Sequence, residues 1–253
     1  MTNHLSFDDW VGALFERHLA DLEFAEVRRA LTALSSLYVE RRERMQRKDA
    51  FAGAGKRAAF ALYYGPVHFL AVREIVGALD GGRDPPRQLV DLGCGSGAAG
   101  AAWATLGAPR PKLIGVERAA WAAQEARWCY RTFGLAARVA RADLLEQSLP
   151  GRSGAVLLAY TANELSAPDR ERLLPTLLRA AERGARVLVV EPIARRMAPW
   201  WSDWAEAFGA AGGRNDEWRV AAVLPSRLRL MARGAGLKPG RLSARSLWLP
   251  GGP

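Results

Sequence analysis

Cysteine is scarce in this chain, with two among 253 residues. So few thiols argue against a disulfide framework and against a cysteine-rich metal cluster. No uninterrupted apolar run approaches the ~18 residues that a membrane-spanning helix needs. The first residues, up to Trp10, are polar and acidic, unlike the basic and then apolar plan of a signal peptide. We therefore expect a globular protein of the reducing cytoplasm, with no membrane segment and no bound metal.

Acidic residues are fewer than basic ones: 26 Asp and Glu against 36 Lys and Arg, which gives a formal net charge of +10. Most of the cations are arginine, and alanine and glycine are abundant, as in any protein from a GC-rich genome. Charge alone therefore does not establish a nucleic-acid partner. One short stretch concentrates the cations Arg41, Arg42, Arg44, Arg47, Lys48, Lys56 and Arg57. This stretch is either a polyanion-binding surface or a solvated helix face. The second alternative arises because Glu40, Glu43 and Asp49 neutralise part of its positive charge.

The hydrophobic pattern divides the chain into two regions. Residues 6 to about 80 carry apolar side chains at helical spacing, with Ser6 and Asp9 as a capping box and a kink expected near Gly65-Pro66. The glycine- and proline-rich residues 81–86 form the clearest linker. We therefore expect a helical lid or docking region over residues 1–84 and a second domain over residues 85–253.

After the linker, predicted strands and helices alternate. The strands are predicted over 89–92, 113–117, 137–140, 155–160, 186–191 and 243–249. The helices are predicted over 98–106, 119–133, 169–183, 199–211 and 226–235. Such alternation predicts right-handed crossovers and an α/β fold with a doubly wound, mostly parallel sheet that is covered by helices on both faces.

The most informative motif is Gln-Leu-Val-Asp-Leu-Gly-Cys-Gly-Ser-Gly at residues 88–97. An apolar strand that carries Asp91 runs into Gly93, Gly95 and Gly97, and an alanine-rich helix follows. Glycines between a strand and a helix let backbone N–H groups approach a ligand with no side chains in the way. With its acid two residues before the first glycine, the motif resembles the first motif of class I S-adenosylmethionine-dependent methyltransferases.

That resemblance implies a seven-stranded Rossmann-like sheet and S-adenosylmethionine as cofactor. Asp91 would reach the methionine amino group, and Cys94 would fill the loop rather than act as a nucleophile. Glu117 would accept both ribose hydroxyls. Asp143 would reach the adenine amine, or is only an exposed residue at a strand end. The expected cofactor-binding residues are Asp91, Gly93, Cys94, Gly95, Gly97, Glu117, Arg118, Ala142, Asp143, Leu144 and Tyr160.

Further stretches resemble a narrower methyltransferase-like family, typified by the mitochondrial small-ribosomal-subunit assembly protein and its bacterial relatives. They are residues 33–42 with 63–76, residues 159–165, residues 187–192 with Arg195 and Arg196, and residues 226–228 with 246–249. Many members carry a cysteine cluster between the Glu-Pro strand and the Ser-Arg helix. Residues 212–219 occupy that place here without a cysteine, so we expect no iron–sulfur or zinc centre.

The candidate catalytic residues follow the fourth and fifth predicted strands. Methyl transfer is an in-line displacement that needs alignment and a dry pocket, with a base only when the nucleophile carries a proton. Tyr160, Asn163 and Glu164 follow the fourth strand, and Glu191 ends the fifth. Glu164 or Glu191 could accept the proton and Asn163 could orient the nucleophile. Alternatively, Asn163 and Glu164 cap the next helix and Glu191 holds its own loop.

Aromatic residues flank these positions on both sides. Trp201, Trp204 and Phe208 share one helix face, which we expect to pack on the sheet rather than to stack on a base. Residues 63–68 could fold over the cofactor as a lid, with His68 interpreted as a structural histidine. The Asn/Asp-Pro-Pro-aromatic signature for methylation of base amino groups is absent. Neither Cys94 nor a second cysteine lies at the active loop, where methylation of a pyrimidine carbon needs one.

Three functions remain open on the sequence. The first is a methyltransferase that acts on RNA or a ribosomal component, with the basic N-terminal helices as docking surface. The second is a methyltransferase for a small metabolite, with those helices as lid and dimer surface. The third is a cofactor-binding ribosome assembly factor without catalysis. The sequence identifies neither the methyl-accepting atom nor the oligomeric state.

Overall fold

The computed structural model describes residues 5–40, 52–193, 198–238 and 240–252. Helices α1 (Phe7–His18), α2 (Phe24–Glu40) and α3 (Ala54–Ala59) precede the sheet, so the helical stretch is interrupted at residues 19–23. The capping box is confirmed: the Asp9 backbone N–H donates to Ser6 Oγ, and the Ser6 N–H donates to Asp9 Oδ2. The basic cluster from Arg41 to Lys48 lies outside the described residues, as do Arg195 and Arg196.

One π-helical turn joins α3 to the next helix. It spans Phe60–Tyr64 and continues into α4 (Gly65–Ala78) without a break. Near Gly65-Pro66, where the sequence predicts an interruption or a kink, the helix changes from π to α without a break. Pro66 is the second residue of α4 and has no backbone N–H to donate to the preceding turn. Such turns contain one extra residue and are frequent near functional sites.

The remaining elements alternate as expected. The strands are β1 (Gln88–Leu92), β2 (Lys112–Val116), β3 (Ala137–Ala140), β4 (Gly154–Ala159), β5 (Arg186–Glu191), β6 (Arg214–Ala221) and β7 (Arg241–Leu249). The helices are α5 (Ala98–Ala104), α6 (Ala120–Thr132), α7 (Ala167–Glu182), α8 (Trp201–Ala210) and α9 (Ser226–Gly234). Short 3₁₀ turns follow β3 at Leu144–Glu146 and β4 at Ala162–Glu164.

The seven strands form one sheet of order β3-β2-β1-β4-β5-β7-β6. Strands β1 to β5 are parallel, and β7 runs antiparallel to both β5 and β6. This confirms the mostly parallel sheet. Strand β6 was missed because its segment, Arg-Asn-Asp-Glu-Trp-Arg-Val-Ala, lacks apolar alternation. It lies at the sheet edge with a single hydrogen-bonded neighbour, so few of its side chains are buried.

The hydrophobic core has two parts, one on each face of the sheet. The first contains the N-terminal helices together with α5 and α6, and Trp10 and Phe69 pack in it. The second contains α7 and α8, with Trp201, Trp204 and Phe208 buried against the sheet as expected. No helix within the described ranges is both long and apolar enough to cross a membrane.

Candidate functional site

A cavity of about 870 Å³ opens beyond the carboxyl ends of β1, β4 and β5. Doubly wound sheets bind their ligands at this edge, and the volume is near the upper end of the ~300–1,000 Å³ usual for ligand sites. Its walls are the glycine loop, the π-helical turn with the start of α4, the loops after β4 and β5, and the first residues of β7. It brings together the expected site residues Asp91, Gly93, Cys94, Gly95, Tyr160, Asn163, Glu164 and Glu191.

The glycine loop needs its glycines for conformation. Gly93, Gly95 and Gly97 have φ angles of 67°, 53° and 82°, in the region that side chains disfavour. Gly97 precedes α5 and does not line the cavity. A Cβ there would lie 2.8 Å from the Tyr130 ring, so no other residue fits without a shift.

Asp91 is the buried acid of the loop, with 1% of its surface exposed. The Tyr130 hydroxyl donates to Asp91 Oδ2 over 3.3 Å, and the Gly100 backbone N–H also donates to this carboxylate. Burial raises the pKa of Asp91 to about 7; the two hydrogen bonds oppose the rise, and the charge of Glu117 adds to it. The carboxyl group is therefore harder to ionise than an ordinary aspartate, and a cationic ligand group beside it would favour the ionised form.

Glu117 ties the end of β2 to the glycine loop. Its Oε2 accepts the Gly95 N–H over 3.1 Å, and its Oε1 accepts the Ala119 N–H over 2.8 Å. The side chain is 1% exposed and does not line the cavity. It lies directly behind the loop, which is a supporting position that the sequence did not indicate.

The expected adenine-side residues lie at the neighbouring strand ends, outside the cavity. Arg118 Nη1 and Asp143 Oδ2 are 3.7 Å apart, and both side chains are substantially exposed. Asp143 Oδ1 also accepts the Leu145 N–H over 3.0 Å and so caps the turn after β3. Ala142 and Leu144 flank it. The structure thus brings Arg118, Ala142, Asp143 and Leu144 together, but at a place separate from the residues that line the cavity.

Tyr160 follows β4 in a strained conformation, with a φ of 56°. Its ring stacks on His68, with centroids 3.7 Å apart and planes within 8°. Burial, together with the charge of Glu191, raises the pKa of the Tyr160 hydroxyl, so it stays protonated and is able to donate a hydrogen bond. His68 also lines the cavity. The sequence gave no sign of its stacking on Tyr160, because His68 is a lone histidine in a helical stretch.

A hydrogen-bonded relay connects α8 to the end of β5. Trp200 Nε1 donates to Asn163 Oδ1 over 3.1 Å, and Asn163 Nδ2 donates to Glu191 Oε2 over 2.6 Å. The Asn163 backbone N–H donates to Glu191 Oε1 over 3.2 Å, and Glu191 is 1% exposed. The relay fixes the orientation of the Asn163 amide and holds the carboxylate at the cavity wall. The cap of α7 is instead Ser166, which accepts the Asp169 N–H.

Arg170 is a cavity residue that the sequence analysis missed. It donates from Nη1 to the Ala162 and Leu165 carbonyls, and its guanidinium lies 5.5 Å from the centre of the Trp200 ring. Burial lowers its pKa, against the charge of Glu191. Nothing in the helical pattern of α7 distinguishes it from the other arginines there; only the tertiary fold brings it to the cavity.

Glu164 is exposed at the cavity rim, and the expected lid lies against the glycine loop. A Cβ on Gly95 would lie 3.7 Å from the Phe60 ring, and a Cβ on Gly65 would lie 3.3 Å from Ser96 Oγ. Among the residues placed by the structure, no group of three or more His, Cys, Asp or Glu side chains could hold a metal. Both cysteines are buried thiols.

No protein-family model matches this chain, and no curated protein matches it. Solved structures do. A proposed O-methyltransferase from Nostoc punctiforme PCC 73102 is 15% identical, with 95% of this chain and 73% of that chain covered at a TM-score of 0.55. The mitomycin 7-O-methyltransferase MmcR is 18% identical, with 93% and 71% covered at a TM-score of 0.51. This likeness shows that the chain has a Rossmann-like methyltransferase fold. It does not confirm the narrower ribosome-linked family.

Proposed function

We propose that this chain is an S-adenosylmethionine-dependent methyltransferase. The observation that carries the proposal is the cavity itself, which places the glycine loop and Asp91 in one space with Tyr160, Asn163 and Glu191. The first group suits a cofactor and the second suits an acceptor. The shared fold with methyltransferases supports the same assignment.

The residues present fit the cofactor. Bound S-adenosylmethionine supplies an electrophilic methyl group. Asp91 offers a buried carboxylate to its amino group, and the positive φ angles of the loop leave the backbone of Gly95 open to close approach. Glu117 directly follows β2 and Asp143 lies three residues after β3, so the ribose and adenine would extend along the sheet edge beyond the cavity.

The acceptor would be held by the residues after β4 and β5. The protonated Tyr160 hydroxyl can donate a hydrogen bond to the methyl-accepting atom. The buried Glu191 carboxylate can receive the proton that the accepting atom loses. Asn163 keeps that carboxylate in place. Residues 1–84 would serve as a lid, because Phe60 and Tyr63 from this region form part of the cavity wall.

For the acceptor we propose RNA or a ribosomal component, supported by the net charge of +10 and by the family resemblance. A small planar metabolite is the second candidate. The observation that favours it is the aromatic wall made by Phe60, Tyr63, Tyr64 and His68.

Calorimetric titration with S-adenosylmethionine tests the cofactor assignment, with Asp91→Asn expected to weaken binding at least tenfold. Asp203→Asn, which changes an exposed acid of α8 away from the cavity, is the matched control. Transfer of a labelled methyl group to total RNA, ribosomal subunits or a metabolite extract then identifies the acceptor class. Tight cofactor binding without transfer to any of them would favour the non-catalytic assembly factor, and no binding at all would refute the proposal.

A further inference from the structure

The positive charge of the chain is concentrated at its carboxyl-terminal end. Residues 218–253 contain no Asp or Glu at all. Their cations are Arg219, Arg227, Arg229, Arg233, Lys238, Arg241 and Arg245. This short segment therefore supplies +7 of the formal +10, a much denser excess than in the rest of the chain.

Six of these seven cations are exposed; only Arg245 is buried, against the ring of Trp201. None of the six has an acidic group within 4.0 Å among the described residues. Some surface arginines elsewhere do pair, as Arg186 does with Asp84 and Arg214 with Asp216, both at 2.7 Å. The segment therefore keeps an uncompensated positive potential.

The cations lead from α9 to the cavity. Arg229 and Arg233 are one helical turn apart, about 6 Å. Lys238 follows in the loop to β7, and Arg241 begins β7 and lines the cavity. We name these four residues the carboxyl-terminal basic face. Helix α2 adds a cation beside it, since a Cβ on Gly234 would lie 2.5 Å from Arg28 Cδ.

We propose that the carboxyl-terminal basic face binds the phosphodiester backbone of RNA and leads one nucleotide to the cavity. Four cations in succession, with Arg229 and Arg233 one helical turn apart, suit the repeated phosphates of a strand, whereas a single small anion would use only one or two of them. The identification of the strand as an RNA acceptor rests on the proposed function; the binding of phosphates does not. The surface differs from the N-terminal docking surface expected from the sequence.

An anionic membrane fits this face less well. A helix that binds in a membrane interface must insert an apolar face. The apolar side chains of α9, Leu228, Met231 and Ala232, are already buried in the core. Leu230, 63% exposed, is the large apolar side chain that this helix presents to solvent. The outward side is therefore suited to phosphates rather than to acyl chains.

The test uses the full chain and a fluorescein-labelled uridine-rich oligoribonucleotide, with anisotropy measured over a series of KCl concentrations. The variant R229Q/R233Q/K238Q leaves the cavity residue Arg241 intact. The control R131Q/R138Q/R152Q removes the same charge from exposed arginines elsewhere. We expect the first variant to lower the slope of log affinity against log salt by about 2, at ~0.7 per phosphate contact. The control should leave the slope nearly unchanged.

Equal slope losses in both variants would overturn the proposal, since they would show a general effect of net charge. So would an absence of RNA binding by the unaltered protein, or binding to phosphatidylglycerol vesicles that the first variant alone abolishes. Cofactor titration of all three proteins separates the two proposals. RNA binding that fails while cofactor affinity persists refutes the docking face only. Cofactor affinity that is absent while the slopes differ as expected refutes the methyltransferase proposal only.

Discussion

The two halves of the cavity are built in different ways. The half that we propose binds the cofactor, the cofactor half, comes from one continuous stretch, β1 with its glycine loop and α5, and its geometry depends on backbone conformation. The half that we propose binds the acceptor, the acceptor half, is assembled from segments far apart in the chain: the π-helical turn, the loops after β4 and β5, and the start of β7. Its geometry depends on side-chain contacts such as the stacking of His68 on Tyr160. The ligand of the cofactor half can therefore be predicted from one sequence motif, whereas the ligand of the acceptor half cannot.

The strongest test of the cofactor half is Gly97→Ala. A Cβ at φ 82° is strained and would lie 2.8 Å from Tyr130, so we expect a loss of about 3 kcal/mol in the free energy of unfolding. Chemical denaturation measures it. Gly12→Ala in α1 is the control: no atom lies within 4 Å of its Cβ, and the change should stabilise by up to ~1 kcal/mol. Equal effects would mean that the loop tolerates side chains.

Asp91→Asn separates stability from binding. Because the folded pKa of Asp91, about 7, exceeds its unfolded value, the native state retains a proton that the unfolded state loses, and stability falls as pH rises between the two values. Without cofactor, the stability of the variant relative to the unaltered protein should therefore increase by a few kcal/mol from about pH 4 to pH 8. Thermal melts across this range measure it. A pH-independent difference would contradict a raised pKa.

Glu117→Ala tests whether the cofactor half extends beyond the cavity. Removal of a charged acceptor costs about 1.5–3 kcal/mol, so cofactor affinity should fall about tenfold or more. Calorimetric titration measures the Kd. Asp143→Ala should cost less, because its carboxylate is partly exposed and, unlike that of Glu117, accepts no hydrogen bond from the glycine loop. Unchanged affinity in Glu117→Ala would remove this residue from the cofactor site.

The smallest expected effect is in the acceptor half. Trp200→Phe keeps an aromatic ring but removes the N–H that holds Asn163. The loss of one such bond, about 1 kcal/mol, should lower methyl transfer about fivefold while the cofactor Kd stays the same. Transfer of labelled methyl to whichever acceptor the labelling experiment identifies, beside a cofactor titration, gives the two readouts. A change in cofactor Kd instead would show that the two halves are not independent.

The same contrast explains what could be predicted from sequence. The glycine loop, the order of strand and helix, and the buried face of α8 follow from local patterns, and they were predicted. Strand β6 was missed because an edge strand needs little apolar alternation. His68 was interpreted as structural because its partner, Tyr160, is distant in the chain. Arg170 reaches the cavity only because α7 packs where it does, and no spacing within that helix reveals it.

The π-helical turn at Phe60–Tyr64 carries a consequence for helix phase. One extra residue advances every later side chain by about 100° around a common axis. Residues before the turn can therefore face α2, as Gly55 does beside Ala30, while residues after it face α5 and the glycine loop. Deletion of a single residue from the turn would rotate Tyr63 and Tyr64 out of register with the cavity without shortening either helix. One continuous helical segment thus contacts α2 before the turn and α5 after it.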